Sequence, residues 1–245
     1  MFSTDRILMR GAIAIACLTG LGGVALADTL VVRAGGPSAR NFPAGKTLAP
    51  NAKITLVAGD SLTVLDSKGT RTLRGPGTYS AEASAGAQTN TSFSRLVSTQ
   101  NKRRARTGAV RGTDQTARPS NLWDVDSGRS TTMCVADAKG LRLWRSDKEG
   151  SAVLTLLNEA SGKSAKVTFP SGTQEAGWPA DMPVAEGARY TLSRAGQATP
   201  VKITFARFAG NVQDPANTAS ALLAKGCNAQ YDLLVAALEQ QAGTL

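Results

Sequence analysis

The stretch Lys53-Ile54-Thr55-Leu56-Val57-Ala58-Gly59-Asp60-Ser61-Leu62-Thr63-Val64-Leu65 decides the fold class. Polar and apolar residues alternate on both sides of Ala58-Gly59-Asp60. A side-chain period of two is the mark of a strand with one face buried. Gly and Asp favour turns, so the segment reads as two strands joined by a short connection. The pattern continues outward. Thr29-Leu30-Val31-Val32-Arg33 precedes it and ends at Gly35-Gly36-Pro37. Thr70-Arg71-Thr72-Leu73 follows Asp66-Ser67-Lys68-Gly69 and stops at Gly75-Pro76-Gly77. Strands spaced this closely, with turn residues between them, predict a small antiparallel barrel or sandwich over residues 28–80.

The wider stretch carries a resemblance. Gly45-Lys46-Thr47-Leu48, then Ala58-Gly59-Asp60-Ser61-Leu62-Thr63-Val64-Leu65, then Gly69-Thr70-Arg71-Thr72-Leu73-Arg74-Gly75-Pro76-Gly77 resembles a FecR-type β domain. The likeness lies in its Gly-Asp turns and its closing Gly-Pro-Gly, and it covers about a quarter of the chain, enough for a small domain. It implies a sensor-like module of the cell envelope. Known FecR-type regulators carry a cytoplasmic segment and a membrane anchor ahead of this domain, whereas this chain begins with what reads as a signal sequence.

Residues 81–121 differ in character. Ala, Ser, Thr, Gln and Asn dominate, and Phe93, Leu96 and Val97 at helical spacing predict a short helix within 91–100. Lys102, Arg103, Arg104, Arg106 and Arg111 follow, with Arg118 beyond them. This reads as a basic linker, and it supplies the candidate contact charges for a partner. The same charges also serve simply to keep a connector solvated.

Residues 122–208 carry a second run of short strands: 122–125, 132–135, 141–144, 152–156, 165–169, 189–192 and 201–205. Their number and spacing predict an Ig-like sandwich, with Trp123, Cys134 and Trp144 expected in its core. Residues 209–245 read as a helical hairpin. Ala216 to Lys225 forms one helix ending at Gly226, and Asn228 caps a second whose buried face holds Tyr231, Leu234 and Leu238. The predicted fold is therefore mainly β, two small antiparallel domains with a C-terminal helical hairpin.

The N-terminus predicts export. Arg6 and Arg10 precede the apolar run Gly11 to Val24, and Ala25-Leu26-Ala27 offers the small residues a signal peptidase reads. Cleavage after Ala27 and a periplasmic location are expected, with retention as an anchor the alternative. The cysteines left after cleavage are Cys134 and Cys227, 93 residues apart, which an oxidising compartment would join.

Composition narrows the chemistry. The chain has 245 residues, a formal charge of +10, 5% aromatic residues and no histidine. Histidine bases, Ser-His or Cys-His nucleophiles and most zinc sites are thereby excluded. Ser161-Gly162-Lys163-Ser164 reads as a hairpin turn rather than an activated Ser-Lys pair, and Asp124 and Asp126 read as turn residues. Trp178, before Pro179, reads as a core or loop staple, the alternative being a ring that stacks on a sugar. No metal or cofactor is expected. The sequence predicts a non-enzymatic binding module in envelope sensing or assembly. Its partner would be an envelope protein, an anionic glycan or a lipid headgroup, with peripheral membrane contact and no nucleic acid. A carboxylate-dependent hydrolase of envelope polymers and a structural subunit of a periplasmic assembly are the alternatives.

Overall fold

The computed structural model describes residues 29–66, 69–81, 91–98, 117–210, 212 and 214–242. The protein is mainly β, with a helical pair at its C-terminal end. In the first unit β1 (Thr29–Gly35) is flanked by β2 (Thr47–Leu48) and β4 (Ser61–Asp66), and β5 (Gly69–Arg74) pairs with the outer side of β4. A separate ribbon joins β3 (Lys53–Leu56) to β6 (Gly77–Ser80). Every pairing here is antiparallel.

Alternation places Ile54 and Leu56 of β3 against Val31, Leu62, Val64 and Leu73 in this unit's core. Asp60 holds the connection ahead of β4. Its carboxylate accepts the Ser38 N–H at 2.9 Å and the Val57 N–H at 2.7 Å. Gly36, with φ +96°, packs against this turn, and a Cβ there would lie 2.5 Å from the Gly59 carbonyl oxygen. Only glycine fits at that point.

The second unit stacks two sheets. One has the order β11-β10-β13-β14-β8 and the other β12-β9-β7. The strands are β7 (Val125–Asp126), β8 (Thr131–Val135), β9 (Arg142–Trp144), β10 (Ala152–Asn158), β11 (Ser164–Phe169), β12 (Glu175–Gly177), β13 (Arg189–Arg194) and β14 (Val201–Arg207). The arrangement is sandwich-like but not purely antiparallel. β14 runs parallel to β8, and β7 runs parallel to β9. Residues 122–125 do not form the expected strand. Leu122 and Trp123 lie in a buried turn, where Asn121 Oδ1 accepts the Trp123 N–H and the indole donates to the Val97 carbonyl.

The expected aromatic core also differs. Tyr190, Phe169, Phe205, Leu156 and Ile203 fill the space between the sheets, while Trp123 and Cys134 belong to another cluster. Trp178 packs edge-on against Tyr190 and Phe205, with ring centroids 5.0 and 5.1 Å away. Its indole N–H donates to the Met182 carbonyl, so it acts as a loop staple.

That other cluster is where the units meet. α1 (Thr91–Val97), α2 (Pro215–Ala224) and α3 (Asn228–Ala242) bury their apolar faces in it. Phe93, Leu96 and Val97 come from α1. Leu30, Val32 and Leu65 come from the outer face of the first sheet, and Cys134 and Ala206 from the outer face of the second. Hence β1, β4, β8 and β14 bury residues on both faces. Met133 points into the sandwich and its neighbour Cys134 toward the helices. The helical pair starts at Asp214, which accepts the Asn217 N–H, and Pro215 takes the first turn, where its missing N–H costs nothing. It turns at Gly226, with φ +73°. Asn228 is the first residue of α3 rather than its cap. Tyr231, Leu234 and Leu238 are buried, as their spacing predicts.

Candidate functional site

Cys134 of β8 and Cys227 of the helical corner form a disulfide, with Cα atoms 5.8 Å apart. One turn further on, Gln230 completes the junction. β8 is an edge strand, and at Cys134 both backbone groups point away from β14. The Gln230 carboxamide takes both. Its oxygen accepts the Cys134 N–H at 2.7 Å, and its nitrogen donates to the Cys134 carbonyl at 3.0 Å and the Leu122 carbonyl at 2.9 Å. A side-chain amide here stands in for the peptide of a neighbouring strand and closes the sheet edge.

Holding α3 in this position leaves its other side facing a cleft of about 430 Å3. Ala229, Asp232, Leu233, Ala236 and Glu239, at helical spacing, form one wall. Leu122 and Met133, both buried, lie behind the opposite side. Arg33, Arg118 and Arg129 bring guanidinium groups, and Asp124 and Asp126 bring carboxyl groups. Arg33 and Glu239 approach to 3.8 Å, a solvated pair worth little in itself. Among the described residues, Arg118, Arg129 and Asp232 have no ion-pair partner. The cleft thus offers charges of both signs, unpaired among the described residues, beside half-buried Ala229, Leu233 and Ala236.

Asp126 behaves as a turn residue, its carboxylate accepting the Gly128 N–H at 2.9 Å. Asp124 does not. Its carboxyl is buried and gripped from β9 by the guanidinium of Arg142, Nε to Oδ1 at 3.1 Å and Nη2 to Oδ2 at 3.3 Å. Arg142 also donates to Glu175 at 2.6 Å. Burial pushes the Asp124 carboxyl up to about 6, against the pull of Arg142, and the negative charge of Glu175 adds to the rise.

Those flagged residues that are described do not gather at one place. Lys102, Arg103, Arg104, Arg106 and Arg111 lie outside the described residues, whereas Arg118, the last of that basic series, stands on the cleft rim. Ser161 to Ser164 form the β10–β11 turn, where Lys163 is half exposed and pairs with Asp181 at 2.9 Å. Arg145 is buried and donates to the carbonyls of Thr173, Gly150 and Pro170, which makes it a clasp between loops. Among the described residues no cluster of three or more His, Cys, Asp or Glu is placed to hold a metal, and no helix is long and apolar enough to cross a membrane. Sequence reasoning missed the cleft itself. Its walls come from β1, the segment 117–133 and α3, and no local pattern ties these together.

No family model and no curated protein matches this sequence.

Proposed function

We infer that the protein is an exported, non-enzymatic binding module of the cell envelope that takes a short segment of a partner protein into the cleft beside α3. The carrying observation is that Arg118, Arg129 and Asp232, without ion-pair partners among the described residues, stand beside an apolar floor of half-buried Ala229, Leu233 and Ala236. Charges of both signs suit a polypeptide that carries acidic and basic side chains, and the apolar floor supplies the area that charges alone do not. The export signal, the disulfide and the FecR-type pattern of the first unit support an envelope location.

The test is site-specific photocrosslinking with the reactive group at position 232 of the exported chain. One envelope protein should be captured there, and R118E/R129E should abolish the crosslink. A crosslink indifferent to those substitutions, or none at all, defeats the reading. Asp124 favours a second reading, since a buried carboxyl raised to about 6 on a cleft wall has the character of a general acid for polymer hydrolysis. Against it stands Arg142, which occupies both Asp124 oxygens. Loss of envelope-polymer cleavage in D124N would support the hydrolase. A preparation without such cleavage removes it.

A further inference from the structure

We propose that the outer face of the five-stranded sheet, over β11, β10, β13 and the start of β14 where the helices do not cover it, docks an acidic polysaccharide. Register places its side chains in rows across the strands. Lys202 pairs with Thr191, Thr191 with Leu157 and Leu157 with Ser164, so these four form one row. Ser193, Thr155 and Lys166 form the next. Lys166 and Lys202 therefore stand at opposite ends of a diagonal about 16 Å long, taking ~4.8 Å between strands and ~6.8 Å between rows. The side chains between them are mainly hydroxyls.

Both lysines are exposed, and neither has an ion-pair partner among the described residues. Arg189, on the same face, pairs with Glu159 at 3.4 Å while staying mostly exposed. The outward positions of β10, β11, β13 and β14 carry no carboxylate. Glu159, just beyond β10, accepts the Thr191 hydroxyl at 2.8 Å and neutralises Arg189, so the free positive charge of the face rests on Lys166 and Lys202. Val153 and Leu157 are exposed there at 47% and 39%, flush with the hydroxyl rows.

This pattern selects its occupant. Lysine ammonium groups separated by hydroxyls match a chain whose acid groups are separated by sugar hydroxyls. Two copies of the face would meet cation to cation, which opposes self-association. No aromatic ring lies on the outward positions, so the stacking that holds single-stranded nucleic acid is missing. The inference stands independently of the cleft.

The test uses the full disulfide-bonded chain and three probes: polygalacturonate, neutral dextran and phosphatidylglycerol vesicles. Polygalacturonate should bind, dextran should not, and binding should weaken as salt rises. K166E/K202E, which alters only exposed side chains, should weaken binding at least tenfold with an unchanged unfolding midpoint. T155A/S193A should weaken it severalfold, because these hydroxyls take part. R118E/R129E in the cleft should leave it intact, as should neutralising Arg103, Arg104, Arg106 and Arg111. Polygalacturonate binding that is absent or indifferent to K166E/K202E, dextran bound equally well, vesicles bound in preference, or binding lost with the residue 103–111 arginines would each overturn the proposal.

Discussion

Replacing Gln230 with leucine tests how the helical pair is seated. Leucine has nearly the volume of glutamine, so packing is kept and the hydrogen bonds are lost. The Cys134 N–H then has no acceptor, which costs about 1–3 kcal/mol for a buried donor. The Cys134 and Leu122 carbonyls each lose a donor, at about 1 kcal/mol apiece. Burying an aliphatic side chain returns roughly 1–2 kcal/mol. The net expectation is a loss of about 1–4 kcal/mol, read as a fall of about 1 M in the urea midpoint. Amide exchange locates the effect. The Cys134 amide should exchange slowly in the native protein and quickly in Q230L. Met133 and Val135, at the alternate positions of the ladder with β14, should stay protected. Q230E adds a second check. An ionised carboxylate still accepts the Cys134 N–H but cannot donate to the two carbonyls, so that variant should lose more at pH 7 than at pH 4. A Q230L protein within about 0.5 kcal/mol of wild type, the spread of ordinary surface substitutions, would show that the carboxamide does not hold the junction.

Three other outcomes follow from the same structure. Converting Cys134 and Cys227 together to serine frees a 93-residue loop, which the chain-entropy account values at about 4–5 kcal/mol; a drop in Tm below about 3 °C by calorimetry would contradict that. Asp124 binds its proton more tightly folded, at about 6, than unfolded, at 3.8, so its contribution to stability grows as pH falls from about 7 to about 4, by no more than ~3 kcal/mol. The unfolding free energy of wild type minus that of D124N should shift in favour of wild type over that interval, and a flat difference refutes the assignment. Asp60 has the opposite sign: the Ser38 hydrogen bonds, above all, hold its carboxyl below 3.8, so its stabilisation is present at neutral pH and is lost as pH falls through that lowered value. D60A should therefore be less stable than wild type at pH 7 and close the gap in strong acid, as followed by circular dichroism.

In the first unit β3 was legible because it has one clearly polar side. Lys53 to Leu56 alternates without interruption, and the Gly59-Asp60 turn announces itself. Burial on both faces blurs that signal. In β8 the run Met133-Cys134-Val135 is buried throughout, because the sandwich takes one face and the helices the other. Its sequence reads as a strand but says nothing of a parallel partner reached from residues 201–207. Short strands such as β12 were missed because three residues are too few to show a period. Gln230 had no signal either, since a single polar residue on a helix gives no sign of the backbone it will meet.

The cleft residues show why the candidate site was the least legible part. Asp124 and Asp126 look alike in sequence, two acids beside a strand and a turn. One caps its own turn and needs nothing beyond Gly128. The other is committed to Arg142, 18 residues away, and stands on the cleft that α3 walls. A local reading treats them the same because the difference between them is created by tertiary burial. The placement of α3 rests in turn on the disulfide and Gln230, both of which act on Cys134. Loosening that one residue should release the edge of the sheet and open the cleft wall together. Photocrosslinking at position 232 and Cys134 amide protection should then fail in the same variants, and a Q230L protein that lost one but kept the other would separate the site from the junction that shapes it.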